Sequence, residues 1–242
     1  MHAVILAGGK GLRLRPYTTA LPKPLVPIGD RYVILEILLQ QLGSQGFTDV
    51  TIAINHLGRL IRAVVGDGSH CGLRVDYAED DAPLSTVGPL FAFRDRLPKN
   101  FLVMNGDVLT DLPFAELLEG HVRADVPLTV ASAPRVVNID FGVLQVDRER
   151  IVGFTEKPAI CHRVSMGVYG MARKTLEPYP PGLSFGFDDL VLDLLSRGEQ
   201  LASYEFNGYW VDIGRPDDYD EINRNFEQLE AILLPQRREG RV

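Results

Sequence analysis

Through Asp107 the chain alternates short apolar runs with longer amphipathic ones. "AVILA" leads to a helical stretch over "VILEILLQQLGSQG", "DVTIAIN" to one over "GRLIRAVVG", "LRVDYAE" to one over "VGPLFAFRDRL", and "FLVMNGD" closes the series. Short continuous apolar runs suit strands covered on both faces, and the helical stretches between them have crossover length. The rhythm therefore predicts β-α-β units and a parallel, doubly wound α/β sheet with helices on both faces. Ligands of such sheets collect at the carboxyl ends of the strands. From "PLTVASAP" onward the pattern shifts to shorter strands and turns, through "FGVLQVDRERIVGFTEKP" and "VSMGVYGM". A helix over "DDLVLDLLSRG" and a strand through "ASYEFNGYWVDIG" follow. No Gly/Ser/Pro linker divides the halves, so the second half reads as a mixed β extension of one mainly parallel sheet. A last amphipathic helix is expected from about Asp217 to Leu234, with "PQRREGRV" as a frayed tail.

With 45% hydrophobic residues among 242, the chain can bury a sizeable core. Its net charge of −7 and scattered basic residues imply no cationic surface large enough for nucleic acid, so any phosphate site must be local. Two distant cysteines, Cys71 and Cys161, make neither a disulfide framework nor a zinc site. No apolar run reaches membrane-spanning length and no signal sequence is visible, so a cytoplasmic protein without a membrane partner is expected. The five histidines show no ligand spacing, and no Gly-x-Ser-x-Gly, Cys-His pair or HExxH supports a hydrolase.

"LAGGKGLRLRP" follows the first apolar run directly. A Walker A loop fails because Gly11 is followed by Leu12, and the dinucleotide fingerprint fails after Gly9-Lys10-Gly11. What remains is a strand end at Leu6 and Ala7, glycines at Gly8, Gly9 and Gly11 able to expose backbone N–H groups, and then Arg13. Such a nest beside a guanidinium suits a triphosphate. Lys23, flanked by prolines in "LPKPLVPIGD", sets an ammonium on a stiffened loop nearby.

These stretches resemble the signature of the sugar-1-phosphate nucleotidyltransferases, the NDP-sugar pyrophosphorylases, roughly G-G-x-G-x-R-L-x-P-x-T followed by K-P-x-x-P. "GGKGLRLRPYT" and "KPLVPIGD" match it, and the resemblance runs to about Tyr219. It implies a Rossmann-like three-layer α/β/α sandwich and a single catalytic domain over 1–242, nucleotide-binding over about 1–110 and sugar-binding over about 111–220, with the last helix at 216–234. It also implies that Arg13 and Lys23 contact nucleotide phosphates and stabilise transition-state charge. The chain length leaves no room for the C-terminal β-helix of longer relatives, so regulation or trimerisation through one is not expected.

Asp107 directly follows an apolar strand, where a carboxylate facing the crevice can hold a hard cation; Mg²⁺ binds through one or two carboxylates plus substrate phosphates. The second acid is Asp212 in "GYWVDIGRP", and by the resemblance the two aspartates share the metal. In "FTEKP", Glu156 can accept from sugar hydroxyls and Lys157 can neutralise the sugar phosphate. The resemblance also implies that Gly142 lies against the sugar and that Ser165 and Met166 replace an Asn and an Ala facing it. Base recognition is expected from the Ala7 to Gly9 backbone and "EDDAPLSTVGPL", including Gly88, where Ser85 and Val87 depart from the usual P-L-G-T-A-G, with Leu6 also counted to the nucleotide site. Glu79 at a strand end can accept from the N1–H and amine of guanine, which inclines the reading toward GTP, while Asp80 and Asp81 read equally as solvated loop acids.

Three functions follow for comparison. The first is synthesis of an NDP-sugar from an NTP and a sugar 1-phosphate. GTP with mannose- or heptose-1-phosphate is favoured because thymidylyl enzymes carry S-K-x-L-x-P; the alternative is a thymidylyl-, uridylyl- or cytidylyltransferase acting on glucose 1-phosphate. The second is a non-catalytic NDP-sugar sensor, whose mark would be loss of Arg13, Lys23 or a metal aspartate. The third, a glycosyltransferase, calls for a D-x-D motif that the strand ends lack. Homodimerisation through apolar strand edges or the last helix is the assembly considered.

Overall fold

The computed structural model describes residues 1–79 and 82–235, leaving Asp80, Asp81 and the expected tail from residue 236 outside the described residues. Its centre is a seven-stranded sheet of β1 (His2–Leu6), β2 (Asp49–Ile54), β3 (Arg74–Glu79), β4 (Asn100–Asn105), β5 (Leu128–Asn138), β6 (Ala159–Ala172) and β7 (Ala202–Glu205). Their order across the sheet is β7-β5-β6-β4-β1-β2-β3. β4, β1, β2 and β3 pair in parallel, β6 runs antiparallel to both β4 and β5, and β7 is parallel to β5. Six strands thus share one direction and β6 alone opposes them, which is the mixed, mainly parallel sheet that the alternation predicts.

Both faces are covered. In β1, Ala3 and Ile5 join one core and Val4 the other; in β4, Leu102 and Met104 oppose Phe101 and Val103. The first core is roofed by α1 (Ile34–Ser44), α2 (Gly58–Val65), α4 (Phe114–Ala124) and the C-terminal α7 (Phe226–Leu233). The second is roofed by α3 (Gly88–Phe93) and α5 (Phe187–Ser196). α1 buries Ile34, Leu35, Ile37, Leu38 and Leu42 along one stripe, each contributing about 1.5–3 kcal/mol. α2 stops where Gly66 turns to φ 61°. Among the described residues no helix is long and apolar enough to cross a membrane.

Four details differ from the sequence expectation. Helix α4 was not expected, although Phe114, Leu117, Leu118 and His121 recur at helical spacing and are buried. β5 and β6 are 11 and 14 residues long, not short, because they run beyond the sheet as a two-stranded arm that carries the hairpin Val143–Asp147/Arg150–Thr155. "ASYEFNGYWVDIG" breaks after Glu205, and Trp210–Asp212 leaves the main sheet to pair antiparallel with Val108–Thr110. The final helix divides into α6 (Pro216–Arg224) and α7, hinged at Asn225. There the Asn223 carboxamide accepts from Gly29 N at 2.8 Å, and Glu230 takes bonds from Arg31 and Tyr32.

Candidate active site

The chain leaves β1, builds outward through β2 and β3, then crosses back to place β4 on β1's other side. A crevice opens at that reversal, outside the carboxyl ends of β1 and β4. Gly106 N donates to Leu6 O at 2.9 Å, and Ala7 N donates to Ala53 O at 2.8 Å, fixing the two strand ends side by side. Gly8 and Gly9 follow, and a side chain at Gly9 would meet nothing within 4 Å, so its backbone faces open space. Gly11 sits at φ 60°, where a Cβ would lie 2.9 Å from Thr18 Cγ2, while Thr18 Oγ1 donates to Gly11 O at 2.7 Å. Glycine is needed there on both counts, conformation and space.

Lys23 opens the short 3-10 turn Lys23–Leu25 and is only 8% exposed. Its Nζ donates to Asp107 Oδ2 at 2.5 Å and lies 3.5 Å from Asp212 Oδ1. The two acids, 105 positions apart, are brought together by the Val108–Thr110/Trp210–Asp212 ribbon, which sets Asp212 opposite Val108, and by Ile213 N donating to Asp107 O at 3.2 Å. Burial, and after it the Asp107 charge, push the Asp212 carboxyl above its ordinary range, while Lys23 and Arg13 pull it back. Asp107 Oδ1 is buried without a hydrogen-bond partner. Two carboxylates sharing one ammonium, one of them with an unused oxygen, fit a divalent cation. Among the described residues no third acid, His or Cys joins them, the sparse donor set that suits Mg²⁺ completed by phosphates. Arg13 lies close by, since a Cβ on Gly214 would sit 3.6 Å from Arg13 Nη1.

A cavity of about 650 Å³ runs from this charged end to an apolar one, from Arg13, Lys23 and Asp107 past Gly8 and Gly9 to Ala53–Asn55 and Ala82–Thr86. That size accommodates a nucleotide. Leu6, Ala7, Gly8, Gly9, Gly11, Arg13, Lys23 and Asp107 line it together, as their motifs imply.

Other expected site residues stand elsewhere. Glu79 is outside the cavity lining and pairs at 3.2 Å with Arg62, whose guanidinium also covers the Tyr77 ring, so the guanine-acceptor reading of Glu79 is not carried forward. Gly88 is a packing glycine at the start of α3: a Cβ there would lie 2.4 Å from Leu183 O. Val87 and Met166 are 0% and 1% exposed and belong to the cores, whereas Ser85 lines the cavity at φ 64°. Gly142, Glu156 and Lys157 are exposed at the base of the hairpin. A Cβ at Gly142 would strike the Phe154 ring at 2.6 Å, so this chain's own ring already demands the glycine. Ser165 donates to Tyr169 Oη at 3.0 Å beside an irregularity in β6, near Asn105, which Gly167 approaches closely.

One cavity residue and one that braces the glycine loop were missed. Asn55, ending "TIAIN", donates from Nδ2 to Ala82 O at 3.1 Å and ties the base-side loop to β2. Thr18 braces Gly11 as described; a polar residue ending an apolar strand and the threonine of "RPYT" were the available signals.

A family model described as nucleotidyl transferase matches residues 2–229. The mannose-1-phosphate guanyltransferase of Schizosaccharomyces pombe is 32% identical over 231 residues, covering 90% of this chain and 62% of that protein. The Candida albicans protein of the same name matches equally. The chain thus spans 62% of the length of these curated relatives. Among solved structures, HddC from Yersinia pseudotuberculosis superposes with a TM-score of 0.73 at 25% identity, covering 93% of this chain and 99% of that one.

Proposed function

The chain belongs to the nucleotidyl transferase family, and from that premise we propose that it joins an NTP to a sugar 1-phosphate, releasing pyrophosphate and an NDP-sugar. The observation that carries the reading is the buried Lys23 ammonium between Asp107 and Asp212, at the mouth of the strand-end glycine loop. The backbone N–H groups of Gly8 to Gly11 and the Arg13 guanidinium would hold the triphosphate, with the base toward Asn55 and Ser85. An oxygen of the sugar phosphate attacks the α-phosphorus, a new P–O bond forms, and the bond to pyrophosphate breaks on the opposite side. No side chain has to become covalently linked, so catalysis rests on alignment and on neutralising charge with Arg13 and Lys23. Asp107 and Asp212 would hold Mg²⁺, which when bound supplies charge neutralisation at the phosphates. Glu156 and Lys157 would take the sugar hydroxyls and phosphate.

For the substrates the reading is GTP with mannose- or heptose-1-phosphate, supported by the naming of the relatives as mannose-1-phosphate guanyltransferases. The test is pyrophosphate release with Mg²⁺ for GTP, dTTP, UTP, CTP and ATP against mannose-, glucose- and heptose-1-phosphate. Turnover with GTP and one of the first or last sugars is expected. Turnover with dTTP, UTP or CTP and glucose 1-phosphate would replace the substrate assignment, and no turnover with NDP-sugars still binding would mean a sensor. Asp107→Asn is expected to move the Mg²⁺ titration to higher concentration, and an unmoved curve would remove Asp107 from the metal.

A further inference from the structure

Ser85 adopts a backbone conformation suited to glycine and keeps a side chain there. Six non-glycine residues among the described ones have a positive φ, and Ser85, at 64°, is the one of them that lines the cavity. The usual P-L-G-T-A-G has glycine at this place. A left-handed φ strains a residue that carries a Cβ, and the strain persists only where the surroundings over-determine it.

Here the segment leading into α5 does so. Just before Ser85, Leu84 O accepts from Phe185 N at 3.1 Å. Just after it, Thr86 Oγ1 accepts from Phe187 N at 3.1 Å, and Val87 N and Gly88 N donate to Phe185 O at 2.9 and 3.0 Å. Leu84 and Val87 are buried, and the Phe185 ring is seated against Phe91 and Tyr179. Relaxing Ser85 to an ordinary φ would break these bonds or draw Leu84 or Val87 into water. Glycine would make the same turn without strain. What serine adds is a hydroxyl, and that hydroxyl has no hydrogen-bond partner among the described residues. It sits at the end of the cavity away from Arg13, Lys23 and Asp107, beside Ala82 and Asn55. A hydroxyl both donates and accepts, so it can pair with either kind of polar atom on the rim of a base.

We propose that the Ser85 hydroxyl hydrogen-bonds the nucleobase of the NTP, and that the left-handed turn enforced by residues 183–187 holds it in place at the expense of the fold. The inference rests on the function proposed above, which sets the phosphates at the charged end of the cavity. Its signature is that stability and nucleotide affinity move in opposite directions when the side chain is removed. A serine that merely supported the loop would lower both.

Calorimetric titration of the full chain without sugar phosphate, together with thermal unfolding, tests it. The probes are GTP, or whichever of dTTP, UTP, CTP and ATP binds more tightly, and ribose 5-triphosphate, which lacks only the base. Ser85→Gly is expected to raise Tm by about 2 °C, because relief of the strain outweighs the freedom glycine adds to the unfolded chain, and to weaken the NTP about three- to tenfold. Ser85→Ala keeps the strain, so it should weaken the NTP equally at an unchanged Tm. Ribose 5-triphosphate should bind all three chains alike. Unchanged NTP affinity in either variant overturns the proposal, as does a matching loss for ribose 5-triphosphate, or a lower Tm in Ser85→Gly. Pyrophosphate release with an NTP affinity indifferent to Ser85 would end this inference alone. No release from any substrate pair, with NTP affinity still dependent on Ser85, would end the transferase reading and support this one. Failure of all five NTPs to bind would end both.

Discussion

Lys23 and Lys157 are each followed by proline, and each was read from the sequence as a phosphate ligand, yet the fold treats them differently. Lys23 is 8% exposed, held in a short turn and bound to Asp107 and Asp212, with β1 and β4 beside it and helices on both sides of the sheet. Lys157 is exposed at φ 43°, a left-handed conformation costing a non-glycine residue roughly 1–2 kcal/mol, on a ribbon with no second layer. A group inside the sandwich is placed by neighbours that cannot move independently. One on the ribbon is placed chiefly by its own backbone. The difference teaches that the charged end of the crevice is held by the surrounding fold, while Lys157 is held by the ribbon's backbone.

The largest effect should separate two phenylalanines. Phe101, fully buried in β4, is expected to cost about 3–5 kcal/mol of stability when cut to Ala, whereas Phe154, 62% exposed, should cost less than about 0.5 kcal/mol in dilute solution. Urea unfolding of both variants measures it, and equal losses would erase the distinction between sandwich and ribbon. The two lysines sharpen it next. Lys23→Ala is expected to lower kcat by about 10²–10³ with the fold intact, while Lys157→Ala should leave kcat nearly alone and raise KM for the sugar phosphate about tenfold. A reversed pattern in steady-state kinetics would mean that the ribbon, not the strand ends, carries the chemistry.

The smallest effect concerns the covered side alone. His121 on α4 is 1% exposed, its Nδ1 bonded to Thr129 Oγ1 at 2.9 Å and its Nε2 unpartnered, and burial pushes its pKa down. Below about pH 6.5 the unfolded chain takes up a proton that the folded chain refuses. Stability should therefore fall as pH drops from there toward the folded pKa, by at most about 1.4 kcal/mol per pH unit. His121→Gln should flatten that part of the profile, and an unchanged slope would assign it to other groups.

What the sequence made legible sits where local chemistry and strand position coincide. A glycine loop behind "HAVIL", a lysine between prolines and the aspartate after "VMNG" all line one crevice, and the aspartate after "GYWV" joins them through Lys23. The misreadings are matters of partner and direction, which spacing does not encode. Nothing near Glu79 in the chain announces Arg62, 17 positions earlier, and the backbones of Val87 and Met166 are held by distant partners, Val87 N donating to Phe185 O and Trp210 Nε1 donating to Met166 O. Helix α4 was legible and passed over, because a histidine in its apolar stripe looks polar until Thr129 satisfies it.

The ribbon that pairs Val108–Thr110 with Trp210–Asp212 has a consequence for the life of the molecule before folding is finished. A ribosome delivers the glycine loop, Lys23 and Asp107 early, and a nascent chain can arrange those parts while translation continues. Asp212 emerges only 105 residues after Asp107, and α6 and α7, which brace the loop after Lys23 through Asn223 and Glu230, emerge later still. Chains truncated upstream of that point would lack Asp212 and the brace, so Lys23 would be left with Asp107 as its one acidic partner.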